Sequence, residues 1–279
     1  MSGRIARGWA LTKQSWATLR SDRSLAAFPV FGALSVLLLG AAFWAPSAVL
    51  FNDDQTVLGV LLAAIGLYLV TFAGVFFSVS LAAAAAQVMD GEDATVRSGM
   101  AVARRHIGSV AGWAAMLMSV NIVIRALQER FGMIGDLLLG GIAMAWNLVT
   151  FLAVPVIAVE GEGPISTLKR SASIFRERWG EQVTGQVSVG LVPMLIALVP
   201  AAILVGVGVL VGEAVVLAIT ISLAIAIVLI GAVVSSALSQ IFAMALYRFA
   251  VGETATGAFD ERTLAGAVGP KGGRREASI

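Results

Sequence analysis

The sequence predicts an all-α polytopic membrane protein, with six transmembrane helices as three hairpins, each preceded by an amphipathic helix on the cytoplasmic membrane surface. Three observations predict it. Hydrophobic residues make up 58% of the 279 and charged residues 13%, with a mean hydropathy of +0.91, well outside the balance of a soluble domain. Several apolar runs exceed the roughly 18–20 residues needed to cross a hydrocarbon core about 30 Å thick. Finally, 17 of the 19 Lys and Arg residues fall in segments that would share one side of the membrane.

Residues 1–24 carry Arg4, Arg7, Lys13, Arg20 and Arg23, with Ile5, Trp9, Trp16 and Leu19 near helical spacing. This pattern predicts an interfacial helix with its Trp rings at headgroup depth and its cations toward anionic lipid. The apolar run that follows is too long for a signal-peptide core and shows no small-residue cleavage site, so no secretory leader is expected. No lipidation motif is read at either end.

A six-span bundle over residues 25–250 comes next. Its spans are expected at 25–51, 57–87, 107–124, 137–159, 183–211 and 214–250. The small-residue tract at the end of the second span lets backbones approach closely where lipid offers no hydrophobic drive for helix association. Loops are expected at 52–56 and 125–136, and Gly212 with Glu213 must turn the chain between the fifth and sixth spans. Pro193 and Pro200 interrupt the fifth span, where each removes a backbone donor. The last apolar block, 37 residues, would be about 55 Å long as one helix. It must tilt, bend near Gly231 or project from the bilayer. Residues 251–279, rich in Gly, Ala and charge, read as a largely disordered cytoplasmic tail with a brief contact through Phe259 and Leu264.

The segments on one side hold 5, 3, 4 and 5 Lys and Arg, and the opposing loops hold 0, 2 and 0. The positive-inside rule then places this multi-pass chain in the cell membrane with both termini in the cytoplasm.

Three segments before the hairpins align without gaps: GWALTKQSW from Gly8, GMAVARRHI from Gly99 and SASIFRERW from Ser171. The fourth position is apolar (Leu11, Val102, Ile174) and the sixth basic (Lys13, Arg104, Arg176). A surface helix followed by a transmembrane hairpin, three times over, would produce this echo. Amphipathic lead-in helices would also share such preferences by physics alone. Asp90-Gly91-Glu92-Asp93 and Glu160-Gly161-Glu162-Gly163 form a second echo, where Gly would end the preceding helix.

The island from Glu160 also carries a resemblance. Glu160-Gly161-Glu162-Gly163-Pro164, Leu168-Lys169-Arg170-Ser171, Phe175 and Trp179-Gly180-Glu181 resemble the signature of a family of uncharacterised bacterial and archaeal six-span membrane proteins. The run around Trp9 and Trp16, the run Ala245-Leu246-Tyr247-Arg248-Phe249 and residues 257–260 resemble it as well, so the likeness covers nearly the whole chain. That family is similar, more distantly, to the membrane domain of some glycerophosphodiester phosphodiesterases. The resemblance implies fold and topology and transfers no catalytic residue. The phosphodiesterase chemistry belongs to a separate soluble domain, for which these 279 residues leave no room.

No constellation for catalysis is recognisable, and the expectation is a non-enzyme without cofactor or metal. His106 is the single histidine and Cys is absent, so clustered metal ligands are not expected. No nucleophile elbow surrounds a Ser. Asn121, Asn147 and Gln240 are the polar residues that could line a cavity at bilayer depth, as a transporter would need.

Candidate headgroup contacts are Arg7, Lys13, Trp16, Arg104, Arg105, Lys169, Arg170, Arg176 and Trp179. Cations interleaved with Ile and Trp fit a helix sunk into anionic lipid better than a nucleic-acid surface. The expected partners are therefore anionic inner-leaflet lipids and a possible membrane protein, with no nucleic acid. Gly208 and Gly212 form a G-x-x-x-G pair that could serve intramolecular packing or, less readily, a homo-oligomer. The leading functional expectation is an organising or regulatory membrane protein; the alternative is a small-molecule or lipid transporter.

Overall fold

The computed structural model describes residues 2–53, 55–179, 191–253 and 259, and those residues form nine α-helices and no strand. They are α1 (Ser2–Ser21), α2 (Arg23–Asn52), α3 (Thr56–Met89), α4 (Val96–Arg105), α5 (Ile107–Thr150), α6 (Ala153–Glu160), α7 (Pro164–Trp179), α8 (Leu191–Val211) and α9 (Ala214–Val251). Six stretches are long and apolar enough to cross a membrane: Ser24–Asn52, Thr56–Met89, Ile107–Phe131, Gly140–Glu160, Pro193–Val211 and Ala214–Val251. The expected start of the fifth span, 183–190, lies outside the described residues. The chain divides into two compact units, Leu19–Ala172 and Met1–Thr18 with Ser173–Ile279.

In the first of these, α2 packs along α3. Asp22 caps α2 by accepting from the Ser24 amide at 2.8 Å, and Leu25 and Phe28 are fully buried one turn later. Ser47 donates to the Gly59 carbonyl at 2.8 Å, satisfying a hydroxyl in an apolar setting and pinning the end of α2 to the beginning of α3. At the other end of α3 the run Leu81–Ala85 is buried throughout, the close packing its composition predicts.

Helix α5 runs on past the expected start of the loop at 125–136: the third apolar stretch continues to Phe131 and the fourth begins at Gly140. Arg125, Ala126, Leu127, Gln128 and Glu129 are all strong or adequate helix formers, so a polar turn signal was absent. Trp113 and Trp146 would lie about 50 Å apart on a straight helix. Their rings stack at 6.4 Å, so the chain doubles back between them. The returning arm breaks at Phe151 and Leu152 before α6. Pro155 accounts for the break, because it has no amide to offer the Phe151 carbonyl and its ring crowds that turn.

In the second unit α8 packs along α9. Gly212 makes the turn between them at φ 75°, a left-handed conformation open to glycine at little cost. Gly231 is buried where a Cβ would collide with Ala197, so α8 and α9 approach closely there. Helix α9 is 38 residues long, about 57 Å. Its first part carries exposed apolar side chains such as Ile225 and Ile230, whereas every residue from Ile241 to Arg248 is buried. The far end of α9 is thus covered by protein, whereas its first part is not. Arg248 is buried there and pairs through Nε with the Glu253 carboxylate at 2.9 Å. Phe259 is buried, in keeping with the expected contact; Leu264 and the rest of the tail lie outside the described residues.

Candidate functional site

The candidate contacts sit on three helices, each leading into a long apolar helix. Helix α4 begins with a reciprocal cap in which the Ser98 amide donates to Thr95 Oγ1 at 3.0 Å and the Thr95 amide to Ser98 Oγ at 3.1 Å. Ser98 also donates to Gln87 at 2.7 Å, tying the start of α4 to the end of α3. Gly99 and Ala103 form its buried face. A Cβ at Gly99 would lie 2.6 Å from the Ser80 carbonyl and from the Phe28 ring, so α4 rests almost directly on the α3 backbone. The opposite face, Arg97, Ala101, Arg104 and Arg105, is exposed. Those three arginines make no ion pair among the described residues.

Helix α7 follows an elbow built by the Glu160–Pro164 run. Gly161 ends α6 at φ 67°, and Gly91 ends α3 similarly at φ 78°, which explains the shared acidic-Gly echo as a helix stop. The His106 ring lies so close to Gly161 that no side chain would fit there. Ser109 donates to the Gly161 carbonyl at 2.8 Å, and Thr167 donates to the Glu162 carbonyl at 3.0 Å. Thr167, Ser171, Ile174 and Phe175 form the buried face of α7. Ser171 donates to the Val149 carbonyl, just before the break between α5 and α6. Lys169 and Arg176 are exposed. Arg170 is committed elsewhere: its Nε binds both oxygens of Glu160, at 2.9 and 3.2 Å.

Helix α1 buries Leu11, Thr12, Ser15, Thr18 and Leu19, and exposes Lys13, Trp16, Ala17 and Arg20. Its buried face is thus more polar than expected. Trp16 lies on the exposed face beside the cations, at 41% exposure. The side chains of Arg7 and Trp179 lie outside those described.

Laid over one another by the gapless alignment, the three helices agree in burial as well as in letters. The fifth position is buried in each (Thr12, Ala103, Phe175) and the sixth is an exposed cation in each (Lys13, Arg104, Arg176). The fourth is buried in two (Leu11, Ile174) and half-buried in the third (Val102).

The candidate cavity residues are not brought together. Asn121 and Asn147 are exposed, and Gln240 is half-buried with its Oε1 buried and without a hydrogen-bond partner among the described residues. One apolar groove of about 660 Å³ runs between α8 and α9, past Leu198, Ala201, Val205 and Ile225. A second of about 340 Å³ lies between the arms of α5, past Val123, Leu127, Ile142 and Trp146. A third, about 540 Å³, runs along α9 past Val215, Ile219 and Leu223. None of the three is lined by Asn121, Asn147 or Gln240. Among the described residues no three His, Asp or Glu gather closely enough to hold a metal. The glycine pair is used within the chain: a Cβ at Gly208 would collide with Thr220 of α9, and Gly212 forms the turn.

Two features escaped sequence reasoning. The pairing of Arg170 with Glu160 spans ten residues across a turn, which no helical periodicity reports. The burial of Arg248 could have been suspected from Glu253 just past the end of α9.

No curated protein and no solved structure matches the chain. A family of unknown function, DUF6159, matches residues 57–258, from the start of α3 to beyond the end of α9. Over most of its length, including two of the three lead-in helices and five of the six apolar stretches, this chain belongs to the DUF6159 family.

Proposed function

We propose that this protein is a non-enzymatic organiser or regulator in the cell membrane, multi-pass with both termini cytoplasmic, whose basic face grips anionic headgroups of the inner leaflet. The observation that supports this most is the exposed cation at one shared register on all three lead-in helices, Lys13, Arg104 and Arg176. Each Lys or Arg near an anionic leaflet contributes about 1 kcal/mol. Several together hold a surface helix firmly while single replacements remain tolerable. Placement of the termini rests on the distribution of charge between the loops. The agreement of burial across the aligned segments supports a repeated unit of surface helix and transmembrane hairpin.

Two measurements test the reading. Reconstituted protein should retain anionic over zwitterionic lipid, and Lys169→Gln with Arg104→Gln should reduce that preference; indifference to lipid charge would sink the proposal. A topology reporter at Asn52 or Glu213 should face away from the cytoplasm, and a cytoplasmic signal at either position would overturn the orientation.

A second reading, transport of a small molecule or lipid, draws support from the interruption at Phe151 and Leu152, since transporters use discontinuous spans to expose backbone groups. The chain has no cysteine, so Asn147→Cys is a single reporter. Its labelling by a membrane-impermeant thiol reagent would favour transport, and protection would count against it.

A further inference from the structure

We infer that α4 is a seat for the phosphodiester group of one anionic glycerophospholipid, with Arg97, Arg104 and Arg105 closing on the space above Ala101. This inference rests on the headgroup reading proposed above and names the helix and the side chains that carry it.

The four positions form one face. At 3.6 residues per turn, residues 97, 101, 104 and 105 fall within an arc of about 100°, and the buried Gly99 and Ala103 fall on the opposite side. All four are exposed. Ala101 lies one turn from each of the three arginines, so it is the neighbour they share. Helical side chains lean toward the amino end of their helix, which carries Arg104 and Arg105 back over Ala101, and its methyl group leaves room beneath them. A guanidinium offers a planar fork of donors that matches a pair of phosphate oxygens.

Nothing within the chain answers this charge. Glu92 and Asp93 stand exposed on the loop before α4, yet neither they nor the three arginines make an ion pair among the described residues. Arg97 lies in the first turn, where the helix dipole disfavours a cation, and no acidic residue in that turn offsets it. An anion over Ala101 compensates all three like charges. The platform is already fixed by Gly99 against the Ser80 carbonyl and by the reciprocal cap of Thr95 and Ser98, so binding has little backbone to order. Its place between the apolar stretches Thr56–Met89 and Ile107–Phe131 puts lipid phosphate within reach.

The other two lead-in helices lack the set. At the positions aligned with Arg97, Arg104 and Arg105, α7 carries Lys169, Arg176 and Glu177, and α1 carries Ala6, Lys13 and Gln14. Glu177 is exposed and would repel a phosphate at that face.

The test uses the full chain in detergent with limiting phosphatidylglycerol among phosphatidylcholine, reading phosphatidylglycerol retained per protein by mass spectrometry of the intact complex. Arg97→Gln and Arg104→Gln should each lower retention about fivefold. Ala101→Leu keeps every charge and a good helix former but fills the seat, and it should lower retention as much as either loss of charge. If Arg97→Gln or Ala101→Leu leaves retention unchanged while Arg104→Gln lowers it, the cations act separately; the seat is then refuted and the headgroup reading stands. The same holds if Lys169→Gln or Arg176→Gln lowers retention and no α4 variant does. If no variant moves retention, both ideas fall. Should Ala101→Leu fail to fold, the double variant Arg97→Gln with Arg104→Gln decides. Two arginines on one phosphate should give a combined loss well below the roughly 25-fold product of independent contacts, and a loss equal to that product refutes the seat. Inorganic phosphate at matched concentration should not displace the lipid; displacement would assign the site to a soluble anion and overturn the proposal.

Discussion

Helices α4 and α7 answer the same sequence pattern with different means of attachment. The first is seated by shape: Gly99 and Ala103 bring it down onto α3, and its cations have no internal partner among the described residues. The second is seated by polar bonds, through Thr167, Ser171 and the Glu160–Arg170 pair. Close packing tolerates little adjustment, because a shift of a fraction of an ångström forfeits contacts. Hydrogen bonds and ion pairs can be exchanged for equivalents from lipid or water. The difference teaches that one charged surface helix can be a fixed platform and another an adjustable one, although their letters align.

The sharpest way to break this contrast is Gly99→Val. Its branched Cβ meets backbone on one side and the Phe28 ring on the other, so overpacking should cost about 1–3 kcal/mol or more and lower the thermal midpoint in detergent. A Ser171→Ala variant should cost about 1–3 kcal/mol, because the Val149 carbonyl is left without its partner. If both variants prove equally harmless, the two helices are not held as described. Thr95→Ala removes one half of the reciprocal cap and should cost about 0.5–2 kcal/mol, with earlier amide exchange confined to the first turn of α4. The smallest effects should come from the cations themselves. Arg104→Gln and Lys169→Gln should each weaken anionic-lipid retention by about 1 kcal/mol while leaving the melting temperature unchanged.

Much of this organisation was legible beforehand. Runs of apolar residues reported the long helices, because only continuous hydrophobicity suits a hydrocarbon surrounding. The common register of Lys13, Arg104 and Arg176 was visible as spacing, and burial agrees with it. Other features were hidden for physical reasons. Residues 125–129 favour helix as readily as turn, so local composition did not reveal that the chain stays helical there. The polar buried face of α1, with Thr12, Ser15 and Thr18, looks like an ordinary exposed face until tertiary packing covers it. The partner of Arg170 was concealed because a contact across an elbow depends on the φ of Gly161, not on repeat length.

The division of α9 into an apolar exposed part and a fully wrapped part bears on how the protein meets bilayers of different thickness. The protein covering the stretch from Ile241 to Arg248 keeps lipid tails off it whatever the thickness of the bilayer. Mismatch must then be absorbed at the other end, by tilt or by local thinning around the Gly212 turn. Between thin and thick membranes it is therefore the exposed first part of α9 whose lipid neighbours change, whereas the covered part keeps its protein neighbours.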